Sequence, residues 1–184
     1  MLSNSLSIPN SLVPTINFAS SSTSEQFLRF YLEPDTTALL PIDQLTEVLT
    51  IPIGQIVPIF NMPAWVMGVY NWRGEILWMV DLNHLVGLTP WYQQTTVASA
   101  HTAVVLHVRS NNPTSPNVRS QMIGLVVNRV EDIEWCNPDL IQSPPLSTVT
   151  TELVPFLRGY WLKPNGEMLV VLDGEAIIAG MPKP

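Results

Sequence analysis

The chain has 184 residues, long enough to bury a core as one domain or as two small ones. A hydrophobic content of 46% against 12% charged residues excludes wholesale disorder, and a net charge of −7 with only eight Lys and Arg excludes nonspecific nucleic-acid binding. One cysteine, Cys136, excludes an internal disulfide, and no run approaches the ~18 apolar residues of a membrane span.

Residues 1–24 are rich in Ser, Asn and Pro, carry no charged side chain and show no steady periodicity, so they are expected to form a disordered tail. They also lack the basic region and apolar run of a signal peptide. With the lone cysteine, this leads to the expectation of a cytoplasmic protein. Order is expected to begin near Glu25. Phe27 to Leu32 reads as a first strand, residues 33–37 as a turn, and Ala38 to Ile42 as a second strand. Residues 43–49 fit either a short helical turn or a bent strand, and residues 51–58, with two prolines, an edge strand or an extended connection.

The next stretch, 63–87, reads as a hairpin. Val66 to Tyr70 and Glu75 to Leu82 are rich in β-branched, aromatic and long apolar side chains, and Asn71-Trp72-Arg73-Gly74 interrupts them. Gly74 takes positive φ at little cost, which lets the chain reverse and leaves Arg73 near the tip. There its guanidinium is available to a carboxylate on a partner, although a turn arginine can also serve solubility alone. A short helix over 81–87 is expected to stop at Gly87. Residues 91–100 read as a polar link with little to pack, and 110–120 as a loop. Strands are expected over Ala103 to Val108 and Met122 to Val127, the latter running on into 129–135. Residues 137–155 form an irregular crossing. A second hairpin, Leu157 to Leu162 and Glu167 to Leu172, precedes a short helix over 175–179.

The two halves repeat. Gly74-Glu-Ile-Leu-Trp-Met-Val-Asp81 and Gly166-Glu-Met-Leu-Val-Val-Leu-Asp173 share Gly, Glu, Leu and Asp at identical spacing, 92 positions apart. Residues 42–48 and 127–133 match in side-chain class at every third position, 85 apart. Such repetition suggests two similar β-subdomains, about 25–90 and 100–180, built as small closed barrels.

Signatures of catalysis are absent. The three histidines lie apart from one another and from Cys136, so no zinc spacing appears, and no phosphate-binding loop, dinucleotide fingerprint or nucleophile elbow is present. Asp81 and Asp173 read as caps of the short helices that follow them rather than as a catalytic pair. Trp65, Trp72 and Trp78 crowd the first hairpin, where core filling and a partner-facing patch both explain them better than a cofactor site. Neither a cofactor nor a metal is expected.

From about Gln26 to Ile178 the chain resembles the CheW-like domain of bacterial chemotaxis-type signalling. The resemblance rests on Phe27 to Leu32, Ala38 to Ile42, Leu45 to Val48, and above all Met67-Gly-Val-Tyr-Asn-Trp-Arg-Gly74. The Leu77 to Leu82 strand, Ile123 to Val127, and Gly159 to Leu172 continue it in the same order. It implies a mainly β fold of two five-stranded SH3-like barrels with a few short helices. It also implies a non-enzymatic adaptor that couples a methyl-accepting chemoreceptor's cytoplasmic tip, held in a groove between the barrels, to a CheA-type histidine kinase, without inserting into the membrane. Carried onto this sequence, Asn71, Trp72, Arg73 and Gly74 fall in the receptor or kinase contact, and Leu45 and Glu47 on the kinase-facing segment. The chain departs from the usual pattern at Trp72, His84 and Asn128. A regulatory module of the same fold that modulates a kinase without touching a receptor is the alternative.

Overall fold

The computed structural model describes residues 23–95, 98–108, 121–143 and 150–182. The expected tail up to residue 22 and the loop at 110–120 lie outside the described residues. Among the described residues, eleven strands and two short α-helices form where alternating or continuous apolar runs are broken by turn residues. β1 (Glu25–Leu32) and β2 (Thr36–Pro41) make the first hairpin, and β3 is Leu45–Pro52, after a single 3₁₀ turn at Ile42–Gln44. The stretch left open between helical turn and bent strand is therefore both, one after the other.

β4 (Val66–Trp72) and β5 (Glu75–Asp81) form the central hairpin, followed by α1 (Leu82–Leu85). β6 (Ala100–Val108), β7 (Gln121–Val127) and β8 (Arg129–Cys136) follow, then a two-residue β9 (Ile141–Gln142). β10 (Leu157–Leu162), β11 (Met168–Leu172) and α2 (Gly174–Ala179) end the described chain. The link at 91–100 packs more than its composition suggests. Trp91–Gln93 is a 3₁₀ turn, and the Trp91 ring meets His101 edge-on at 4.9 Å. Two aromatics in a polar stretch outweigh its polar majority.

Two sheets form, in the orders β8-β1-β2-β11-β10-β9 and β3-β6-β7-β5-β4. The repeat explains both. Matching the halves pairs β1 with β6, β2 with β7, β3 with β8, β4 with β10 and β5 with β11. Apart from the short β9, each sheet then reads third, first, second, fifth, fourth, and its first and second strands come from the opposite half of the chain. The registers agree with the spacings in the sequence. Trp78 pairs in parallel with Ile123, and Val170 with Ala38, which lie 92 and 85 positions away from them respectively. The division at 90–100 therefore does not coincide with the sheets. Repetition identifies equivalent elements, but each hairpin is free to pair with either copy.

Because β2, β6, β7 and β11 are largely buried on both faces, they read as mostly apolar runs. Ala103 and Val105 point into one barrel with Ile51, Trp72, Leu77, Met79 and Val126. Phe27, Leu39, Cys136, Trp161, Leu169 and Val171 fill the other. The alternate positions, among them Val104, Leu106, Leu40, Val170 and Leu172, meet in the largest core between the sheets. Two barrels packed around a hydrophobic core are what the resemblance implies.

Candidate docking surface

The hairpin reverses at Arg73 and Gly74 alone. Both have positive φ, +54° and +85°, the twist that matches a two-residue connection between antiparallel strands. Asn71 and Trp72 belong to β4, and the Asn71 side-chain oxygen accepts a hydrogen bond from the Gly74 N–H at 3.0 Å. A Cβ at residue 74 would meet nothing within 4 Å, so conformation rather than space selects glycine.

Glu47 on β3 draws the tip across the sheet. Its Oε2 accepts from Arg73 Nη2 at 2.7 Å, and its Oε1 accepts from the Trp72 indole N–H. The Arg73 guanidinium also lies 4.9 Å from the centre of the Trp72 ring. β3 and β4 are the two edges of their sheet, so one carboxylate joins them and helps close the barrel. A second closure lies alongside. Val57 and Val69 exchange backbone hydrogen bonds of 2.8 and 2.9 Å, across Gly68, where a Cβ would collide with the Val57 carbonyl.

The six expected contact residues thus differ in access. Asn71, Arg73 and Gly74 are exposed, the Arg73 side chain by 67%. Glu47 is half-buried and next to them. Leu45 is also half-buried and packs on the main core. Trp72, expected in the turn and open between core filling and a partner-facing patch, lies on β4 and is 8% exposed inside the barrel, because its place on that strand alternates inward. Arg73 pairs with Glu47, whose side chain lies 26 positions away, rather than with its neighbours.

A groove of about 370 Å³ opens where the outer face of β4, β5 and β7 meets the end of α2. Val66, Trp78, Val80, Met122 and Ile123 line it from the strands, and Met62, Ile178 and Met181 complete the lining. No charged side chain lines it. Trp78 remains 36% exposed there, with Ile76 exposed two positions earlier on the same face. The sequence signal for these residues was the Ile76-Leu-Trp78 alternation, which places two large apolar groups outside. The lining from β7 and α2 carries no comparable local signal.

Asp81 and Asp173 have structural roles. Asp81 caps α1 by accepting the His84 N–H at 3.3 Å and ties the link by accepting the Trp91 N–H at 2.9 Å. Burial pushes its carboxyl up from the ordinary carboxylate value, against those hydrogen bonds. Burial likewise lowers His101, against the pull of Asp81. Asp173 caps α2 through the Ala176 N–H at 3.1 Å. Both aspartates are helix caps, as their matched positions indicate. Among the described residues, no three His, Cys, Asp or Glu side chains converge to hold a metal ion. No helix among them is long and apolar enough to cross a membrane.

Comparison with known proteins agrees with this architecture. The chain is 28% identical over 119 residues, 65% of its length, to a probable chemotaxis protein CheW of Rhizobium etli. The matched stretch is 66% of that relative, just under two thirds. In structure it is similar to the crystal structure of the scaffolding protein TtCheW from Thermoanaerobacter tengcongensis. The TM-score is 0.63 at 20% identity, over 82% of this chain and 89% of that one, which speaks for the fold. The family model of the CheW-like domain matches residues 26–180. With its paired barrels, its Asn-Trp-Arg-Gly hairpin and this match over most of its length, the chain belongs to the CheW-like domain family.

Proposed function

We propose that the protein is a non-catalytic chemotaxis adaptor that couples a chemoreceptor to a CheA-type histidine kinase. The observation that carries this reading is the uncharged groove floored by Trp78, on the outer face of the hairpin whose far end carries Arg73. A groove of this size and apolar lining accepts the side chains of one helix face, the mode by which helical segments dock on preformed surfaces. The groove is proposed to take the helical tip of a methyl-accepting receptor. The Arg73–Glu47 edge is proposed to face the kinase, with an arginine able to form a paired hydrogen bond to a carboxylate. The chain's departures at Trp72, His84 and Asn128 set it apart from the usual pattern, and on that ground the output is proposed to be pilus-driven or light-directed movement. The adaptor works in the cytoplasm and needs no cofactor.

Co-purification of the full chain with the receptor and kinase encoded beside it tests the reading. Trp78→Asp is expected to lose the receptor and keep the kinase, and Arg73→Ala to lose the kinase. Capture of the kinase with no receptor in any form of the experiment would favour a regulatory module that never touches a receptor.

A further inference from the structure

The repeat shows what an occupied version of this groove looks like. Trp65 O accepts the Asp81 N–H and Phe156 O accepts the Asp173 N–H, so residues 65 and 156 are equivalent. Counting back without a gap places Ile59, Phe60 and Met62 at Thr150, Thr151 and Leu153; Gln142 pairs with Tyr160 as Val57 pairs with Val69, so the second segment is the longer one and its extra residues fall before Thr150. In the second barrel that segment folds down. Leu153 is buried in the main core, the Thr150 hydroxyl donates to the Val86 carbonyl at 2.9 Å, and Glu152 packs against Gly87. Val170, the counterpart of Trp78, lies in the same core as Leu153 and is only 7% exposed.

The first barrel lacks this cover. Ile59 has no hydroxyl with which to repeat the Thr150 hydrogen bond. Phe60 sits at a turn whose next residue, Asn61, has φ +61°, and 90% of it is exposed. The turn is held at both ends, by the Val57–Val69 pair and by the hydrogen bond of 2.9 Å from Val66 N–H to Pro63 O. A large aromatic fixed in water, two residues from a groove-lining methionine, has unrealised burial that a partner can supply.

The geometry points to the Ile59–Phe60 turn as a further wall of the docking groove, which closes on an apolar helix face seated there as Thr150–Leu153 closes on the second barrel. Phe60 is then an anchor for the helix, two residues before the groove-lining Met62, and the lack of charge in the groove lining selects apolar side chains on that helix. This rests on the groove being the seat of a receptor helix.

The test titrates the full chain with a soluble cytoplasmic hairpin fragment of a chemoreceptor, by calorimetry. Phe60→Ala is expected to weaken binding about tenfold with an unchanged melting temperature, as a central aromatic anchor does. Trp78→Ala is expected to weaken it as well, and the amides of residues 59–62 to gain protection from exchange on binding. If Phe60→Ala binds like the parent while Trp78→Ala does not, the groove reading stands and the wall is overturned. If both bind like the parent, the groove is not the seat, and the inference falls with that reading. Loss through Phe60→Ala alone would put the contact outside the groove. Self-association abolished by Phe60→Ala, with hairpin binding intact, would assign the turn to a second copy of the chain. Either outcome overturns the proposal.

Discussion

The carboxylate of Glu47 serves two donors whose worth differs with their burial. Arg73 is largely exposed, and an exposed ion pair contributes about 0–1 kcal/mol. The Trp72 indole N–H is inside the barrel, and leaving such a donor without an acceptor costs about 1–3 kcal/mol. Glu47→Ala is therefore expected to lower stability clearly more than Arg73→Ala in urea unfolding, and Glu47→Gln, which keeps an acceptor, to sit between them. Equal losses from Glu47→Ala and Arg73→Ala would show that the indole does not depend on Glu47. The two closure glycines separate conformation from space in the same way. Gly74→Val strains only the backbone, by about 1–3 kcal/mol. Gly68→Ala adds a collision with the Val57 backbone to a φ of +141° and is expected to cost more. Thermal unfolding of the two variants decides the order. That Arg73 caps the hairpin was legible from Asn-Trp-Arg-Gly alone. Its bond to Glu47 was not, because nothing local marks which carboxylate a tip will reach across a sheet.

Among the elements, β8 carries an ionic network with no counterpart among the described residues of the first barrel. Arg29 on β1 bonds Glu131 at 2.6 Å, Glu134 at 3.0 Å and Glu167 at 2.6 Å, while Lys163 bonds Glu134 at 2.8 Å and Arg129 bonds Glu131 at 2.6 Å. The hydrogen bonds from Arg129 and Arg29 hold the Glu131 carboxyl below the ordinary carboxylate range. At Glu134, burial pushes the other way and is outweighed by Lys163 and Arg29. Carboxyls depressed in the folded state add stability above the unfolded carboxylate range and lose it as pH falls through their own lower values. The urea midpoint is therefore expected to drop below about pH 5, and Arg29→Leu to flatten that drop. An unchanged acid slope in the variant would mean that the network does not act on stability. Hairpins and caps were readable here because each depends on residues within a few positions: Asp81 and Asp173 cap as spaced, and Gly74 and Gly166 both turn with positive φ. The network was not, since its members come from β1, β8 and the second hairpin.

At the scale of the whole molecule, the exchange of hairpins decides what can fold alone. Each sheet takes its two interior strands β1–β2 or β6–β7 from the half that supplies none of its others. Fragments ending at residue 95 and starting at residue 98 are thus each expected to show no cooperative unfolding, and to regain it when expressed together. Independent folding of either fragment would contradict this topology. The spacings of 92 and 85 in the sequence marked equivalent positions of the two sheets, yet not the exchange. Either assignment of the hairpins buries the same apolar faces, and only the three-dimensional path of the connections chooses between them.

The same exchange sets an order of events on the ribosome. β1 and β2 emerge first, but Ala38 and Leu39 pair with Val170 and Val171, and Leu28 pairs with Ile133. At typical elongation rates of about 5–20 residues per second, the earliest hairpin waits several seconds for neighbours made last. The sheet containing β3 to β7 can close as soon as Val127 is out, well before the other. During that interval the nascent chain presents Phe27, Phe30, Leu39 and Leu40 uncovered, so its exposure to aggregation is greatest at its start, and chaperone demand falls on the first forty residues rather than on the last.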